Sequence, residues 1–592
     1  MRYRIPILLV IFALAPCGAA LAQPSPKSPA HDSGGYRLMI EAPESVKSEL
    51  ERGLSLARWR DYAGMTGPLL RRLVAESVPE VKQTLNAEGW FSPRVETSVE
   101  AAGSGWVVRI KVDPGEPTRV TAVELHFTGP VAQNDPDGEA RIKAAREAWS
   151  LPVGARFRQA DWAQAKAHAL AALSELRYAG ASIAASEARV DPGTRSAVLS
   201  VTFDSGPPFF VGPIEVSGTR RVDPQVAKNY STVQRGDPWN RERISLYERR
   251  LVESGYFAGA QVDIDRDPAK AAAAPLRVHV IEGRRQFIDA GIGYSTDAGV
   301  RGNLGYRNSN VRIGSEPWRL RSELRADAKT QTIEGALDGP PRPGGSWDTY
   351  GVSLERSDIE NERTTGARVG YAYNWGVERN PSHIGLEWRG ESRQIPGLPE
   401  DSRYAVYLGW RKTLRRTDNF VDPKRGYLGS IEVGTAVPGL ATENFQRALA
   451  TFNLFAPAGP RDDFQFRLQG GYVRAATRQG IPSAYLFRTG GDQTVRGYAF
   501  DSIGVQEGAA TVGGRYLTVA SAEYIHWLTP EWGAATFVDA GNAFDDLGER
   551  KLKVGYGVGA RWRSPIGPFR IDLAYGADTK KFRLHFSAGF SF

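Results

Sequence analysis

The stretch Lys581-Phe582-Arg583-Leu584-His585-Phe586-Ser587-Ala588-Gly589-Phe590-Ser591-Phe592 alternates without a break. Phe582, Leu584, Phe586, Ala588, Phe590 and Phe592 fall on one face of an extended chain; Lys581, Arg583, His585, Ser587, Gly589 and Ser591 fall on the other. A period of two marks a β-strand, whose successive side chains point to opposite sides. A water-soluble sandwich carries the same alternation but turns its apolar face toward a second sheet. The rest of the chain must decide between the two.

The pattern recurs upstream. Tyr404, Val406, Leu408 and Trp410 oppose Ala405, Tyr407 and Gly409; Phe464, Phe466 and Leu468 oppose Gln465, Arg467 and Gln469; Val369, Tyr371, Tyr373 and Trp375 oppose Arg368, Gly370, Ala372 and Asn374. Strands are predicted at 287–295, 299–307, 318–326, 328–337, 347–356, 364–374, 383–390, 403–412, 426–436, 444–456, 462–475, 512–527, 532–540, 551–563, 568–576 and 581–592. These are sixteen, and the boundaries around 309–317 and Lys329 leave fourteen and eighteen as alternatives. Residues 287–592 are 52% of the chain but hold 42 of its 64 glycines, which permit curvature and leave lumen space.

The N-terminus supplies the compartment. Arg2 and Arg4 precede an apolar run at 5–15, and Ala20-Leu21-Ala22 is a small-x-small cleavage site, so 1–22 reads as a secretory signal peptide. Cys17, the one cysteine of the 592 residues, sits in a loose likeness of a lipoprotein box; cleavage after Ala22 removes it, and a disulfide scaffold or multi-cysteine metal cluster is excluded. Residues 23–35, proline-rich at 24–29, form a flexible leader. No later segment approaches the roughly 20 apolar residues of a membrane helix. An exported chain with sixteen alternating strands and no apolar helix is best explained as a transmembrane β-barrel, in which closure satisfies every backbone group in lipid. The charge of +8, from 75 basic and 67 acidic residues that alternate along the chain, does not point to nucleic acid.

Upstream of the barrel a unit of one strand, two helices and two further strands occurs three times, at 36–113, 118–206 and 209–283. The third copy is clearest: Pro213-Ile214-Glu215-Val216-Ser217-Gly218, helices at 224–230 and 241–254, then strands at 261–265 and 276–282. Trp90, Tyr178 and Tyr256 occupy equivalent places, and each copy ends in a glycine turn, Asp113-Pro114-Gly115, Asp204-Ser205-Gly206 and Glu282-Gly283. In the helix 161–176 of the second copy, Trp162, Ala165, Ala169, Leu173 and Leu176 line one face.

Two connections of the barrel exceed short turns: 391–401, and 476–511 with the run Arg488-Thr489-Gly490-Gly491-Asp492-Gln493-Thr494-Val495-Arg496-Gly497-Tyr498. A structureless loop of that length usually has a role. Three repeats followed by a barrel with Val495-Arg496-Gly497-Tyr498 in its long loop resemble the outer-membrane assembly superfamily that includes BamA, TamA and the two-partner-secretion transporters; the repeats resemble POTRA domains. The resemblance spans 36–592. It implies a gating loop folded inward at Arg496, Gly497 and Tyr498, a strand-entry segment at Asp422, Pro423 and Gly426, and a strand-end motif at Asp539, Gly541 and Asn542. The turn chemistry of the last two groups is also explained by backbone geometry alone. A guanidinium inside a barrel pairs with carboxylates, and Asp492, Glu523 and Asp539 are the candidate acceptors for Arg496, whereas Arg478 serves as its comparison.

The three repeats resemble the TamA-like branch, the outer-membrane subunits of the translocation and assembly module. That likeness implies a TamB-like, inner-membrane-anchored partner on the periplasmic repeats, the first repeat foremost, together with nascent outer-membrane β-barrel and autotransporter proteins as clients, and outer-membrane lipids. It places the barrel in the outer membrane with the N-terminal domains in the periplasm, and Phe592 at a terminal signal for the barrel's own insertion. A strand-addition mechanism needs a seam that opens, and closure joins the first strand to the last, at Phe287, Gly291, Gly293, Phe586, Gly589, Phe590 and Phe592. A two-partner-secretion transporter and a passive channel are the alternatives. The seven histidines form no close ligand pattern, and neither a nucleophile elbow nor a phosphate loop is present, so no enzyme, metal or cofactor is expected.

Overall fold

The computed structural model describes residues 35–588 apart from 61, 63, 103–104, 134, 377–379, 421 and 565–566. The signal peptide with Cys17, the leader up to residue 34, and Gly589, Phe590 and Phe592 lie outside the described residues.

The first repeat runs β1 (Tyr36–Glu41), α1 (Glu44–Gly53), α2 (Ser55–Arg58), α3 (Gly67–Ala87), β2 (Arg94–Ala102) and β3 (Gly105–Asp113). The second is β4 (Arg119–Thr128), α4 (Gly138–Glu147), α5 (Gln159–Ser174), β5 (Ser182–Asp191) and β6 (Ser196–Asp204). The third is β7 (Val211–Ser217), α6 (Pro224–Asn229), α7 (Arg241–Glu253), β8 (Phe257–Ile264) and β9 (Ala274–Glu282). Each forms a three-stranded sheet with its last strand in the middle, parallel to the first and antiparallel to the second. Helices on one face bury the apolar stripe. In α7, Asn240 caps the N-terminus by accepting from the Arg243 N–H at 3.0 Å, and Ile244, Tyr247 and Leu251 recur at helical spacing and are buried.

Two sequence readings need correction here. The first repeat has three helical segments, because the chain turns between α1 and α2 at Leu54. In the second repeat Trp162, Ala165, Ala169 and Leu173 do line the buried face, but α5 stops at Ser174 and Leu176 lies beyond it, in a bridge to Asn240. Trp90, Tyr178 and Tyr256 are all buried.

The chain divides into two compact units: the first two repeats up to Ser174 with Ala181–Gly206, and Glu175–Gly180 with Pro207–Phe592, the third repeat and the barrel.

The barrel is closed by sixteen antiparallel strands. They are β10 (Gln286–Ser295), β11 (Gly299–Ile313), β12 (Glu316–Ala326), β13 (Thr330–Asp338), β14 (Trp347–Ile359), β15 (Glu362–Trp375), β16 (Ser382–Gln394), β17 (Asp401–Thr417), β18 (Gly426–Ala441), β19 (Phe445–Pro457) and β20 (Asp462–Ala475). After a hairpin of β21 (Val505–Glu507) and β22 (Ala510–Val512), the wall resumes with β23 (Tyr516–Trp527), β24 (Trp532–Phe544), β25 (Lys553–Ser564), β26 (Gly567–Gly576) and β27 (Lys581–Ala588). The expected strand at 512–527 therefore starts at 516, since residues up to 512 belong to the hairpin inside the long loop. The connection expected at 391–401 narrows to 395–400, because β16 continues to Gln394.

The alternation now has a direction. Ile292 is 83% exposed and Leu584 54%, whereas His585 is 1% exposed. Apolar residues face out and polar ones in, the reverse of a soluble domain and the arrangement that lipid demands. Among the described residues no helix is long and apolar enough to cross a membrane.

Within the second unit, the third repeat is fixed to the barrel. The Tyr256 hydroxyl donates to the Pro317 carbonyl at 2.8 Å, Asn229 Nδ2 to Pro341 at 2.7 Å, and Asn310 Nδ2 of β11 to Arg221 at 3.2 Å. Arg319 donates to the Ser254 carbonyl and lies 5.2 Å from the Tyr256 ring centroid. At the junction, Glu282 accepts from the backbone N–H groups of Arg220, Arg221 and Val222 and from Arg221 Nε. Burial pushes this carboxyl up, but the hydrogen bonds outweigh it and hold it at about 2.

Candidate functional site: the barrel seam and its inward loop

Fifteen of the sixteen strand junctions are long ladders. β14 and β15 share thirteen consecutive partners, and the shortest ladders, such as β26 with β27, keep eight. At the sixteenth, β10 and β27 are paired among the described residues only at Tyr294 with Ala588 and Ser295 with Ser587. The Thr296 N–H adds one bond to the Phe586 carbonyl, and the Phe586 N–H one to the Thr296 hydroxyl, each at 3.2 Å. Gly291 and Gly293 do not interrupt the first strand, which keeps ten unbroken partners along β11. The thin side is the one toward β27. Phe287 is exposed below a guanidinium contact from Arg307, and the Phe586 ring meets that of Tyr294 at 5.9 Å.

Residues 476–515 return into the lumen behind this seam. Odd-numbered positions of β23, β24 and β25 point inward, so Ser521, Glu523, Phe537, Asp539 and Arg561 form one wall. Arg496 docks on it. Its Nε and Nη2 donate to the two Asp539 oxygens at 2.7 and 3.0 Å, and Nη1 donates to Glu523 at 2.6 Å and Asp572 at 3.2 Å. The guanidinium lies 3.4 Å from the Phe537 ring centroid. Arg561 shares two of the same carboxylates, Glu523 at 2.9 Å and Asp572 at 2.6 Å, and the Ser521 hydroxyl donates to Asp539 at 2.6 Å. Two guanidinium groups among three carboxylates satisfy one another in a place where an unpaired charge would be costly.

Of the expected acceptors, Glu523 and Asp539 receive Arg496 and Asp492 does not. The Asp492 N–H donates instead to Asp297, in the β10–β11 turn, at 2.6 Å. Asp572, Arg561 and Phe537 escaped sequence reasoning because they become neighbours only through strand register. One signal was legible: Gly555, Gly557 and Gly559 occupy alternate, inward positions of β25. A Cβ at Gly555 would lie 1.8 Å from the Arg496 carbonyl, and one at Gly559 1.8 Å from Asp572 Oδ1. Gly555 is where the loop backbone lies against the wall, and Gly559 leaves room for the Asp572 carboxylate that receives Arg496.

Gly497 has φ +93°, and its N–H donates to His585 Nε2 at 2.9 Å. The Tyr498 hydroxyl contacts the Val554 carbonyl and Asp578, both at 3.2 Å. The other motif residues sit apart from Arg496, Asp539 and Gly541 excepted. Asp422 accepts from Arg563 at 2.6 Å in the β17–β18 turn with Pro423, and Gly426 has φ +115° with no room for a Cβ beside the Arg416 carbonyl. Gly541 faces Val495 of the loop, and Asn542 Nδ2 donates to the Glu549 and Lys551 carbonyls at 3.0 Å. Arg478, the comparison for Arg496, is itself paired, with Glu507 at 2.6 Å and Asp545 at 2.7 Å.

The Omp85 superfamily domain matches residues 281–592, over half of the chain. The chain belongs to the Omp85 superfamily. A second match, POTRA, described as a surface antigen variable number repeat, covers 209–283. The chain is 24% identical over 396 residues to outer membrane protein assembly factor BamA of Nitratidesulfovibrio vulgaris, covering 62% of this chain and 49% of that protein. It is 23% identical over 484 residues to BamA of Neisseria meningitidis serogroup B, covering 67% of this chain and 58% of that protein. It thus spans about half the length of these curated relatives. The crystal structure of BamA from Haemophilus ducreyi lacking POTRA domains 1–3 superposes with a TM-score of 0.61 at 15% identity, over 80% of this chain and 99% of that one. The fold is the Omp85 one, a sixteen-stranded outer-membrane barrel behind α+β repeats. As a BamA-related member of this superfamily the chain is not an enzyme.

Proposed function

We propose that this Omp85 protein is the outer-membrane component of a translocation and assembly module, which helps insert or fold β-barrel and autotransporter proteins through the seam between β10 and β27. The observation that carries the reading is the seam itself, where β10 and β27 share two backbone partners among the described residues, against at least eight at every other junction. An edge so weakly paired is a template for an incoming strand. The work requires no nucleotide and no covalent step, because each hydrogen bond given up at the seam is replaced by one to the client.

Three repeats support the module reading over BamA, whose family carries more, and over two-partner secretion, whose family carries fewer. The sheets of the repeats offer edges for a TamB-like partner, with the first repeat the proposed contact, and they occupy the periplasm in this reading. The lumen behind the seam is occupied by residues 476–515, which disfavours a passive channel.

The test is a disulfide across the seam, between positions 287–293 and 586–592. Crosslinked protein is expected to remain in the membrane and lose client insertion, with recovery on reduction. Insertion undiminished at complete crosslinking would reject lateral assembly. Pull-down by the periplasmic repeats from cells tests the partner, and retrieval of no inner-membrane-anchored protein would remove the module assignment.

A further inference from the structure

The two backbone partners described at the seam are accompanied by a side-chain connection that joins both of its lips to the inward loop. His585 is on β27 and its side chain is buried. Its Nε2 accepts the Gly497 N–H at 2.9 Å, which places the ring proton on Nδ1. Nδ1 has no hydrogen-bond partner and faces Asp297 Oδ1 at 3.6 Å. Asp297 belongs to the turn that follows β10, and its Oδ2 accepts the Asp492 N–H at 2.6 Å.

Loop residues 492 and 497 therefore reach opposite sides of the same seam, and between them Arg496 is anchored on Asp539, Glu523 and Asp572. Glycines make both approaches possible. A Cβ on Gly491 would stand 2.4 Å from Asp297 Oδ2, and one on Gly497 2.8 Å from the Gly576 nitrogen of β26; both residues have positive φ. A cavity of about 420 Å³ lies beside this point, lined by Tyr294, Asp297, Arg301, Asp492, Arg570 and His585.

We propose that His585 and Asp297 are the positioning residues through which the inward loop straps β27 to the β10–β11 turn and holds the seam shut. The proposal rests on the seam reading above and extends it: release of the Gly497–His585 bond frees the last strand, while Asp297 keeps the loop on the first hairpin. The fixed lip is that of β10, whose ladder partner β11 the third repeat holds through Asn310; the moving lip is that of β27.

Spin labels at Ile292→Cys and Leu584→Cys test this. Both positions face lipid, outside the strap, in ladders with β11 and β26, and the chain's one other thiol is Cys17. In phospholipid vesicles the full-length parent is expected to give one short distance population. His585→Phe, which keeps the ring and removes both polar atoms, raises the long-distance fraction at least threefold. His585→Gln, whose amide oxygen reaches the Nε2 place and accepts from Gly497, returns the parent distribution, a rescue that a purely space-filling role does not predict. Asp297→Ala opens the seam as His585→Phe does, and carries the test by itself if the Phe variant fails to fold by heat-shifted gel mobility. Parent-like distances in the Phe or Ala variant, or failure of Gln to restore them, would overturn the strap. A strap that behaves as stated, in a protein whose crosslinked seam still inserts clients, would instead remove the assembly reading and leave the strap standing.

Discussion

Val153 in the second repeat is 61% exposed and Leu354 in the barrel 60%. The equal values have opposite meanings. Val153 is a single apolar residue on a module whose core, including Leu173, Leu199 and Phe203, is fully buried. Leu354 is one of an unbroken outer set with Ile292, Ile333, Val352 and Val369, while the barrel buries Arg496, Asp539, Glu523 and Arg561 inside. One hydrophobic effect acts in both regions. What differs is the solvent, water around the repeats and lipid around the barrel, and the lumen core is consequently built from charge pairs in place of apolar packing.

The largest effect is expected where that inverted core is cut. Arg496→Ala leaves Asp539 with the Ser521 hydroxyl and the backbone N–H of residue 496, and Glu523 and Asp572 with Arg561 as their ion-pair partner, and should cost about 3–5 kcal/mol, the penalty of stranding a buried charge. Arg478→Ala should cost less than about 2 kcal/mol, because Glu507 retains Arg393 and Asp545 retains Arg515. Urea midpoints of the two variants in detergent, followed by heat-shifted gel mobility, check the ranking; equal losses would mean that Arg496 has no special place.

Next comes the outer face. Leu354→Arg is expected to cost about 2–4 kcal/mol in a bilayer, as cations on the lipid face near its middle do. Val153→Arg should stay within about 0.5 kcal/mol, as for an isolated surface change. Refolding titrations into vesicles measure the first and thermal melts of the full chain the second, and similar costs would break the two-solvent comparison.

Smaller again is Gly555→Ala. Its Cβ would meet the Arg496 carbonyl at 1.8 Å, so the loop must lift or β25 bend, at about 1–3 kcal/mol. Faster protease cleavage within 488–498, with the barrel intact, is the expected reading, and unchanged cleavage would show that Gly555 does not seat the loop.

The smallest effect belongs to the water-facing junction. The Glu282 carboxyl is held at about 2, below its ordinary value of 4.5. A depressed carboxyl stabilises fully above its unfolded value and loses that contribution as pH falls through its folded one. The protection of the Arg220, Arg221 and Val222 amides, the ratio of intrinsic to observed exchange at each pH, should therefore stay high at pH 5 and fall as pH drops toward about 2. Glu282→Gln should lower that protection at pH 5 and leave it nearly flat with pH; a wild-type profile in that variant would remove the clamp.

The period-two alternation of 581–588, with the same period in β15, β17 and β20, specified the order and approximate bounds of the barrel strands from residue chemistry alone and pointed to sixteen of them, a number that the closed sheet settled over fourteen and eighteen. Side chains alternate across any strand, so local sequence suffices. The secondary-structure order of the repeats was equally legible, since helix stripes and glycine turns are local, and the failures at Leu54 and Leu176 are end effects of one turn. Arg496, Gly497 and Tyr498 stood out through resemblance, and Glu523 and Asp539 as acceptors through their position near the loop.

Which carboxylates Arg496 meets, why Asp492 turns to Asp297, and that His585 touches Gly497 were decided by tertiary structure. These residues lie from 27 to 195 positions apart, and their meeting depends on the register of β23 to β27 and on a loop entering the lumen, neither of which a single strand's pattern contains. The short ladder of β10 with β27 is of the same kind. Each strand alone is regular, and the two partners described there exist only because the two ends of one closed sheet come together.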